Sequence, residues 1–355
     1  MALFSVPDIK ISGISACVPE DVYRNADYDW VEEKERNTLI KTIGVEQKRH
    51  ARKGTTTADL CIDAAEKLLE LLPWERNEIE LIIFVSQSRD YIIPATAGLL
   101  QNRLGLSHST IAFDIGLGCS GYVYGLSVIG SMMTTGRIKK ALLFTGDIST
   151  LNTSYRDKSA FPLFGDAGTA TALEYKVGAS PMMFNLQTDG SGYDAIIIPD
   201  GGIRNFAEKD TSFEYQKINE GIYRNGFNIA LDGIKVFNFS LREVKRNVHT
   251  LLEYAQSSLE EVDYIILHQA NKLMNETIRK QLKQPEEKMP LSLKEYGNTS
   301  SASIPLTMVT QIREAMEKSK NQLLLSGFGV GLSWGSVLLE TDHIICPEIL
   351  VHPNS

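Results

Sequence analysis

Short apolar runs alternate along the chain with longer stretches in which apolar residues recur every three to four positions. Glu80–Val85 and Ala141–Gly146 have the length and composition of buried strands. Ala58–Leu72 and Val236–Ala255 carry apolar residues at helical spacing, and Pro73 ends the first of these two segments. Strands that alternate with helices predict parallel sheets covered by helices, and therefore an α/β protein.

The pattern repeats once along the chain. Glu80–Val85 resembles Asp263–Leu267, displaced by 183 residues, and Ala141–Gly146 resembles Gln322–Gly327, displaced by 181. Between these pairs lie Asp114–Gly116 and Glu295–Gly297, again 181 apart, and each half then closes with a glycine-rich turn and strand, Phe164–Glu174 and Phe328–Glu340, at a different offset. Self-similarity of this kind indicates a duplicated architecture. We therefore predict two similar α/β halves, residues 1–180 and 181–355, packed against each other.

Composition and charge restrict the classes of function. The 355 residues are 43% hydrophobic, with 36 Lys and Arg against 44 Asp and Glu, a formal net charge of −8. A net negative chain without a basic cluster is not expected to bind nucleic acid. No apolar run has the length of a signal peptide or a membrane span, so we expect a cytoplasmic protein. The four cysteines form no CxxC pair, which disfavours a zinc or dithiol site and predicts no metal.

Cys119 is the first candidate for chemistry. The buried-strand pattern of Ile111–Ile115 is followed by glycines, by Cys119 and by a run of small residues that predicts a helix. A thiol at a helix N-terminus meets unpaired amides and a positive dipole end, which favours the thiolate and lowers the pKa. On its own, however, a free cysteine is also a common small core residue.

Two polar residues follow the predicted strands of the second half. His268 comes directly after the strand that ends at Leu267, at the edge where open α/β sheets place their active sites. Asn298 lies in a turn, Tyr296-Gly-Asn-Thr-Ser300. Each also has a structural interpretation, His268 as a hydrogen-bonded core histidine and Asn298 as a cap or turn residue.

Taken together, these segments resemble the β-ketoacyl-[acyl carrier protein] synthase III family of the thiolase superfamily. The resemblance runs in family order from about residue 10 to the C-terminus. It is carried by Gly118-Cys-Ser-Gly121, Phe164-Gly-Asp-Ala-Gly168, Leu231–Phe237, His268-Gln-Ala-Asn271, Tyr296-Gly-Asn-Thr-Ser300 and Gly327–Gly335. It implies a thiolase-like fold, a layered α-β-α-β-α sandwich of two halves, and a homodimer.

The resemblance also implies a reaction and the residues that perform it. Cys119 would accept an acyl group from a thioester, and the enzyme would condense it with malonyl-[acyl carrier protein] to initiate fatty acid biosynthesis. His268 and Asn298 would bind the thioester carbonyl during loss of carbon dioxide. The backbone amides of Cys119, Gly329 and Val330 are candidates for a second oxyanion site. The substrates are acyl thioesters of coenzyme A or acyl carrier protein, and no cofactor is required.

Five further residues are candidates for contacts with the carrier protein and with the substrate. Lys272, Arg279 and Lys283 fall on one face of the predicted helix after His268 and are candidates for docking the acidic carrier protein, although an ordinary solvated face has the same pattern. Ile93 aligns with the residue that closes the acyl tunnel in the family, often donated across a dimer. Lys158 aligns with an arginine and is a candidate contact for the phosphates of the thioester.

The residues that hold the adenine of coenzyme A in many family members are absent from this sequence. Thr38 and Thr42 occupy the positions where many family members have a tryptophan and an arginine that hold adenine. A primer other than acetyl-coenzyme A, delivered on a carrier protein, is therefore one hypothesis. The sequence leaves open a related condensing enzyme of specialised polyketide metabolism, a non-condensing acyltransferase or thioester hydrolase, and a non-catalytic partner subunit. The presence of Cys119 and Asn298 argues against the last two.

Overall fold

A computed structural model describes residues 2–207 and 212–353. These residues form seventeen β-strands and nine α-helices, with short 3-10 turns between them. The strands are β1 Ala2–Val6, β2 Ile9–Pro19, β3 Val22–Arg24, β4 Gln47–Arg49, β5 Leu81–Val85, β6 Ile111–Ile115, β7 Lys140–Asp147, β8 Ala167–Tyr175, β9 Met182–Thr188, β10 Ile196–Ile197, β11 Gln216–Asn219, β12 Ile222–Arg224, β13 Ala230–Leu231, β14 Tyr264–Leu267, β15 Lys320–Gly329, β16 Ser333–Asp342 and β17 Leu350–His352. The helices are α1 Glu33–Ile43, α2 Thr57–Leu71, α3 Thr96–Arg103, α4 Gly121–Met133, α5 Gly233–Ala255, α6 Lys272–Leu282, α7 Leu293–Tyr296, α8 Ser303–Gln311 and α9 Arg313–Lys318.

Two mixed sheets organise the chain. The first has the strand order β17-β2-β8-β7-β5-β6 and the second the order β1-β9-β16-β15-β14. In both sheets a parallel pair, β7 with β5 or β15 with β14, is followed by antiparallel strands on one side. The two sheets thus repeat one topology, as the internal similarity predicts.

Three hydrophobic clusters arrange these sheets into five layers. The largest lies between the sheets and includes Leu126 of α4 and Leu306 of α8. A second cluster joins α2 and α3 to the outer face of the first sheet, and a third joins α5 and α6 to the outer face of the second. The predicted thiolase-like α-β-α-β-α sandwich is confirmed. Among the described residues, the structure contains no helix long and apolar enough to cross a membrane.

The predicted helices form because both their ends and their faces are specified locally. Thr56 caps α2 in a capping box with Asp59, and the apolar side chains at helical spacing are buried. Asp232 caps α5 by accepting the N–H of Lys235, so this helix begins three residues before the predicted start at Val236. One equivalence between the halves was wrong at the level of secondary structure: Asp114 lies in strand β6, whereas Glu295 lies in the one-turn helix α7.

The terminal strands exchange between the halves. β1 pairs with β9 in the second sheet, and β17 pairs with β2 in the first. The division at residues 180 and 181 follows the repeat of the sheets except for these two short strands. As a statement about domains it stays a prediction.

Candidate active site

Cys119 lies in a tight turn between β6 and α4. The N–H of Gly121 bonds the carbonyl of Gly118, and α4 begins two residues after the cysteine. Gly121 and Gly125 let this helix approach strand β5, because a Cβ at either position would stand within 3.0 Å of Val85. The sequence prediction of a close strand-to-helix turn is confirmed in this geometry.

The end of strand β15 covers the cysteine. A Cβ at Gly329 would stand 2.8 Å from the Cys119 Sγ, and Gly329 has φ 154°, a conformation that side chains with a Cβ rarely adopt. A Cβ at Gly327 would stand 3.0 Å from the carbonyl oxygen of Cys119. The backbone of the second half therefore packs directly on the nucleophile turn of the first, and glycine is required for that approach.

The electrostatics of Cys119 differ from the sequence expectation. Burial raises the pKa of the thiol to about 11, and the Asp147 carboxylate acts in the same direction. Hydrogen bonding to the backbone N–H of Val330 and to the Ser300 side chain acts in the opposite direction. The expected lowering at the helix N-terminus is outweighed by burial, so the cysteine rests as a thiol.

His268 emerges from strand β14 into the interior. Its N–H bonds the carbonyl of Ser326, its Nδ1 lies 2.7 Å from the Ser303 hydroxyl oxygen, and its ring packs edge-on against Phe328. Burial lowers the pKa of the imidazole to about 3, with the backbone carbonyl of Ser300 acting in the opposite direction. The ring is therefore neutral at physiological pH.

The backbone of Asn298 is hydrogen-bonded to residues of the first half. Its N–H bonds the carbonyl of Leu163, and its own carbonyl accepts the N–H of Gly165. Its Oδ1 accepts the N–H of Ser300 at 2.9 Å, and its Nδ2 is 3.4 Å from the carbonyl of Ala270. Because Oδ1 is occupied by a donor and one N–H of Nδ2 points to the carbonyl of Ala270, the other N–H of Nδ2 remains for a bound oxygen atom.

One cavity of about 360 Å³ brings these groups together. Cys119, His268 and Asn298 all line it, and so do Gly329 and Val330. The rest of the wall is mainly apolar and is formed by residues that include Ile148, Phe164, Ile196, Ile197, Ile198, Ile229, Leu231, Val236, Met274 and Phe328. Such a wall suits a hydrocarbon chain that ends at a small cluster of polar groups.

Two predicted substrate residues lie elsewhere. The side chain of Ile93 is 84% exposed, and this residue is not among the described residues that line the cavity of its own chain. Lys158 forms an ion pair with Glu35 at 2.6 Å, in an acidic depression beside Trp30. The hydroxyls of Thr38 and Thr42 bond carbonyls of their own helix α1, those of Lys34 and Thr38.

The three docking candidates differ in their environment. Lys272 and Lys283 are exposed at the two ends of α6. Arg279 forms ion pairs with Glu276 and Glu286, and its side chain is only 13% exposed. The structure therefore separates Arg279 from the open basic face that the helical spacing suggested.

Three further residues of the site are not among those predicted from the sequence. Asp147, Ser300 and Ser303 are buried around the cavity or behind its histidine. A signal for Asp147 is available, because it directly follows the apolar run Ala141–Gly146 at the carboxyl end of a parallel strand, as His268 follows its strand. Within the part of the chain that the structure describes, no group of three or more His, Cys, Asp or Glu side chains could hold a metal ion.

Family models and related sequences both point to the family that the sequence motifs resemble. Residues 113–190 match the family model described as 3-oxoacyl-[acyl-carrier-protein (ACP)] synthase III, and residues 252–341 match the model for its C-terminal part. A β-ketoacyl-[acyl-carrier-protein] synthase III of Alkalilimnicola ehrlichii is 30% identical over 93% of this chain and 98% of its own. A putative 3-oxoacyl-[acyl-carrier-protein] synthase 3 of Campylobacter jejuni is 32% identical over 97% of both chains.

Solved structures agree with the sequence comparison. A 3-oxoacyl-(acyl-carrier protein) synthase from Burkholderia xenovorans LB400 superimposes with a TM-score of 0.92 and 35% identity, covering 99% of each chain. A 3-oxoacyl-(acyl carrier protein) synthase III from Pseudomonas aeruginosa PAO1 gives a TM-score of 0.80 at 26% identity, covering 95% of this chain and 99% of that one. This chain therefore belongs to the 3-oxoacyl-, or β-ketoacyl-, [acyl carrier protein] synthase III family of condensing acyltransferases.

Proposed function

We propose that this protein transfers an acyl group from a thioester to Cys119 and condenses it with decarboxylating malonyl-[acyl carrier protein], the step that initiates a fatty acid chain. One observation carries this proposal: a buried thiol, a neutral imidazole and a side-chain amide from the two halves line the same apolar cavity. This is the set of groups that the two half-reactions need.

Loading requires a nucleophile and a site for negative charge. Attack of the Cys119 sulfur on an acyl thioester produces a tetrahedral oxyanion, which preorganised N–H groups stabilise most strongly in a site that excludes water. The amides of Cys119 and Val330 face this region, and Gly329 between them admits the substrate carbonyl because it has no side chain. Expulsion of the donor thiolate leaves the acyl group on Cys119.

Condensation requires a different pair of donors. Loss of carbon dioxide from the malonyl group leaves an enolate, and uncharged N–H donors aimed at its oxygen stabilise charge that develops only in the transition state. A ring held neutral by burial and an amide whose Oδ1 is already occupied suit this task. The partner of the His268 Nδ1 is the Ser303 hydroxyl rather than a carboxylate, which favours decarboxylation over hydrolysis.

We further propose that the primer is not simply acetyl-coenzyme A. The hydroxyls of Thr38 and Thr42 are engaged within α1, and Lys158 is engaged by Glu35. An adenine or its phosphates would therefore find few free partners at these three positions, whereas a primer on a carrier protein does not need them. Incubating the protein with matched acyl thioesters of coenzyme A and of carrier protein, then weighing the acyl-enzyme, tests this. Rapid preferential acetylation from coenzyme A would contradict it.

A homodimer is also proposed. Tyr91, Ile92 and Ile93 are 59%, 77% and 84% exposed, and they precede α3, whose first two residues bond Asp114 of β6, the edge strand of the first sheet. Large apolar side chains next to an open edge strand favour a second copy as the partner. Ile93 would then reach the acyl chain of the neighbouring subunit. Sedimentation of the Ile92→Asp variant tests the dimer, and a wild-type protein that sediments as a monomer at micromolar concentration would contradict it.

The decisive experiment follows both half-reactions. Malonyl-carrier protein is supplied with and without an acyl primer, and the product is identified by mass. Carbon dioxide release with a product two carbons longer than the primer supports condensation, whereas simple loss of the thioester supports the hydrolase. Cys119→Ala should abolish acylation, and His268→Ala or Asn298→Ala should mainly remove decarboxylation. Normal decarboxylation by Asn298→Ala would overturn its assignment.

A further inference from the structure

The loops that follow strands β5 and β7 form a polar part of the catalytic cavity. These two strands pair in parallel, so both loops leave the sheet at the same edge, where α/β proteins bind their ligands. Gln87 and Ser88 from the first loop line the cavity, together with Ser149 from the second. By contrast, the residues of β10, β13 and α6 that line it are apolar, namely Ile196, Ile197, Leu231 and Met274. The polar side chains therefore distinguish one part of the wall from the rest.

The side chain of Gln87 reaches the nucleophile turn. Its Oε1 occupies the space where a Cβ of Gly118 would stand, and Gly118 directly precedes Cys119. The lack of a side chain at position 118 leaves room for this amide. The first carbons of an acyl group on the Cys119 sulfur would therefore be close to the Gln87 amide, inside the cavity that both residues line.

Hydrogen bonds to one carboxylate fix the backbone that carries Gln87. The Oδ1 of Asp147 accepts the N–H of Gln87 at 2.7 Å, the Ser86 hydroxyl at 3.1 Å and the Ser88 hydroxyl at 3.3 Å. The Ser88 Oγ also accepts the N–H of Ile148 at 2.8 Å, which joins the loop after β5 to the loop after β7. A side chain on a backbone held in this way is partly preorganised, so less freedom is lost when it binds a ligand.

The polar groups at this part of the wall are neutral and open to a ligand. Within the described residues, neither the Gln87 amide nor the Ser149 hydroxyl hydrogen-bonds another residue. Each of these groups can both donate and accept a hydrogen bond, as a hydroxyl on a substrate can. An acyl group that carries a carboxylate would instead stand near the Asp147 carboxylate, which also lines the cavity and would repel it. The wall therefore suits a neutral polar substituent.

We propose that Gln87, assisted by Ser149, selects a primer whose short acyl chain carries a hydroxyl group near the thioester. The inference rests on the proposed function, because it concerns the acyl group that Cys119 accepts. Gln87 is exposed in the single chain, so solvent satisfies its amide before the substrate binds. A hydroxyl on the acyl chain replaces the hydrogen bonds of the displaced water, whereas an unsubstituted chain displaces the water without replacing them. Gln87 acts as a specificity-determining residue and takes no part in bond making.

The test is a competition between butyryl and 3-hydroxybutyryl groups, supplied together as thioesters of the same carrier protein in a single turnover. The two acyl-enzymes differ by one oxygen atom, so intact-protein mass gives their ratio. The wild type is expected to load the hydroxyacyl group about tenfold faster, the equivalent of one hydrogen bond. Gln87→Leu should remove this preference, and Ser149→Ala should reduce it. Gln311→Leu, which changes an exposed glutamine at the end of α8, is the control and should keep the wild-type ratio.

A ratio measured in one vessel separates selection from a merely structural role. Partial unfolding or a general loss of activity slows both acylations equally and leaves the ratio unchanged, whereas loss of a contact to the hydroxyl alters it. A wild-type preference for butyryl, or the wild-type ratio in Gln87→Leu, would overturn the selection of a hydroxyacyl primer and leave the proposed function intact. Absence of acylation by both groups, on carrier protein and on coenzyme A alike, would instead contradict the proposed function.

Discussion

The Nδ1 atom of His268 lies 2.7 Å from the hydroxyl oxygen of Ser303, at the first residue of α8. When that hydroxyl donates, Nδ1 accepts and the single ring proton resides on Nε2. The imidazole is then an uncharged donor with a defined tautomer. A carboxylate at the same position would favour the imidazolium and a general-base role, so the choice of serine distinguishes this site from a hydrolytic triad.

Removing this hydroxyl should affect condensation and spare loading. We expect Ser303→Ala to reduce decarboxylation of malonyl-carrier protein about tenfold, the equivalent of one lost hydrogen bond, because the tautomer is no longer fixed. Acylation of Cys119 should be unchanged within about twofold. Carbon dioxide release and acyl-enzyme mass measure the two steps. Thr310→Val is the control, since its hydroxyl bonds the carbonyl of Leu306 on the same helix. Equal rates for Ser303→Ala and wild type would contradict the assignment.

Gly329 should tolerate no side chain. In Gly329→Ala, the new Cβ would stand 2.8 Å from the Cys119 Sγ at a φ of 154°, so the backbone or the sulfur must move. Displacement of a reacting atom by about 1 Å costs on the order of 100-fold in rate, and we expect acylation to fall at least that far. Backbone strain should also lower the free energy of unfolding by about 1–3 kcal/mol.

A matched glycine provides the control for that prediction. Gly98 lies in α3 with open space at its Cβ position, and Gly98→Ala should keep acylation and slightly raise stability. Acyl-enzyme mass and chemical denaturation of both variants give the comparison. Wild-type acylation by Gly329→Ala would show that the turn is less closely packed than described.

Sequence patterns located the parts of the molecule whose physical determinants are local. The spacing of apolar residues found α2 and α5, the repeat found the two sheets, and the glycine-bounded Cys119 marked the nucleophile turn. The pKa of Cys119 and the exposure of Arg279 depend on burial by distant parts of the chain, which local patterns do not show. The dipole argument for Cys119 considers the helix end alone, whereas removal of the thiol from water depends on β15 lying across it. Likewise, the spacing of α6 could not show that Glu276 and Glu286 engage Arg279.

The exposed lysines at the two ends of α6 lead to a prediction about the docking of the carrier protein. Lys272→Glu and Lys283→Glu should each raise the KM for malonyl-carrier protein by up to about fivefold at low salt, and the effect should shrink at 0.5 M salt. Their kcat should be retained. Lys318→Glu on α9 is the control at another exposed lysine. Arg279→Glu should instead lower stability, because it places a third acidic group beside Glu276 and Glu286. Unchanged KM values for both Lys272→Glu and Lys283→Glu would remove α6 from the docking surface.

One buried histidine, His268, and one half-buried histidine, His50, should make the protein lose stability in mild acid. Burial lowers the pKa of His268 and of His50 from 6.5 to about 3, and the Lys48 ammonium contributes at His50 against an opposing effect of Asp21. Between these values the unfolded chain binds more protons than the folded one, so the free energy of unfolding falls as the pH drops from about 6.5 toward 3. Above pH 6.5 this contribution is fully present.

The slope of the free energy of unfolding against pH shows whether His50 contributes to this loss of stability. Each of these two histidines can contribute up to about 1.4 kcal/mol per pH unit within that window. Denaturation in urea at pH 7, 6 and 5 should therefore give a shallower decline for His50→Gln than for the wild type. His249→Gln replaces an exposed histidine of α5 and should keep the wild-type slope. An identical decline in His50→Gln would mean that the ring is protonated without unfolding, and that its burial beside Tyr23 and Lys48 opens readily in solution.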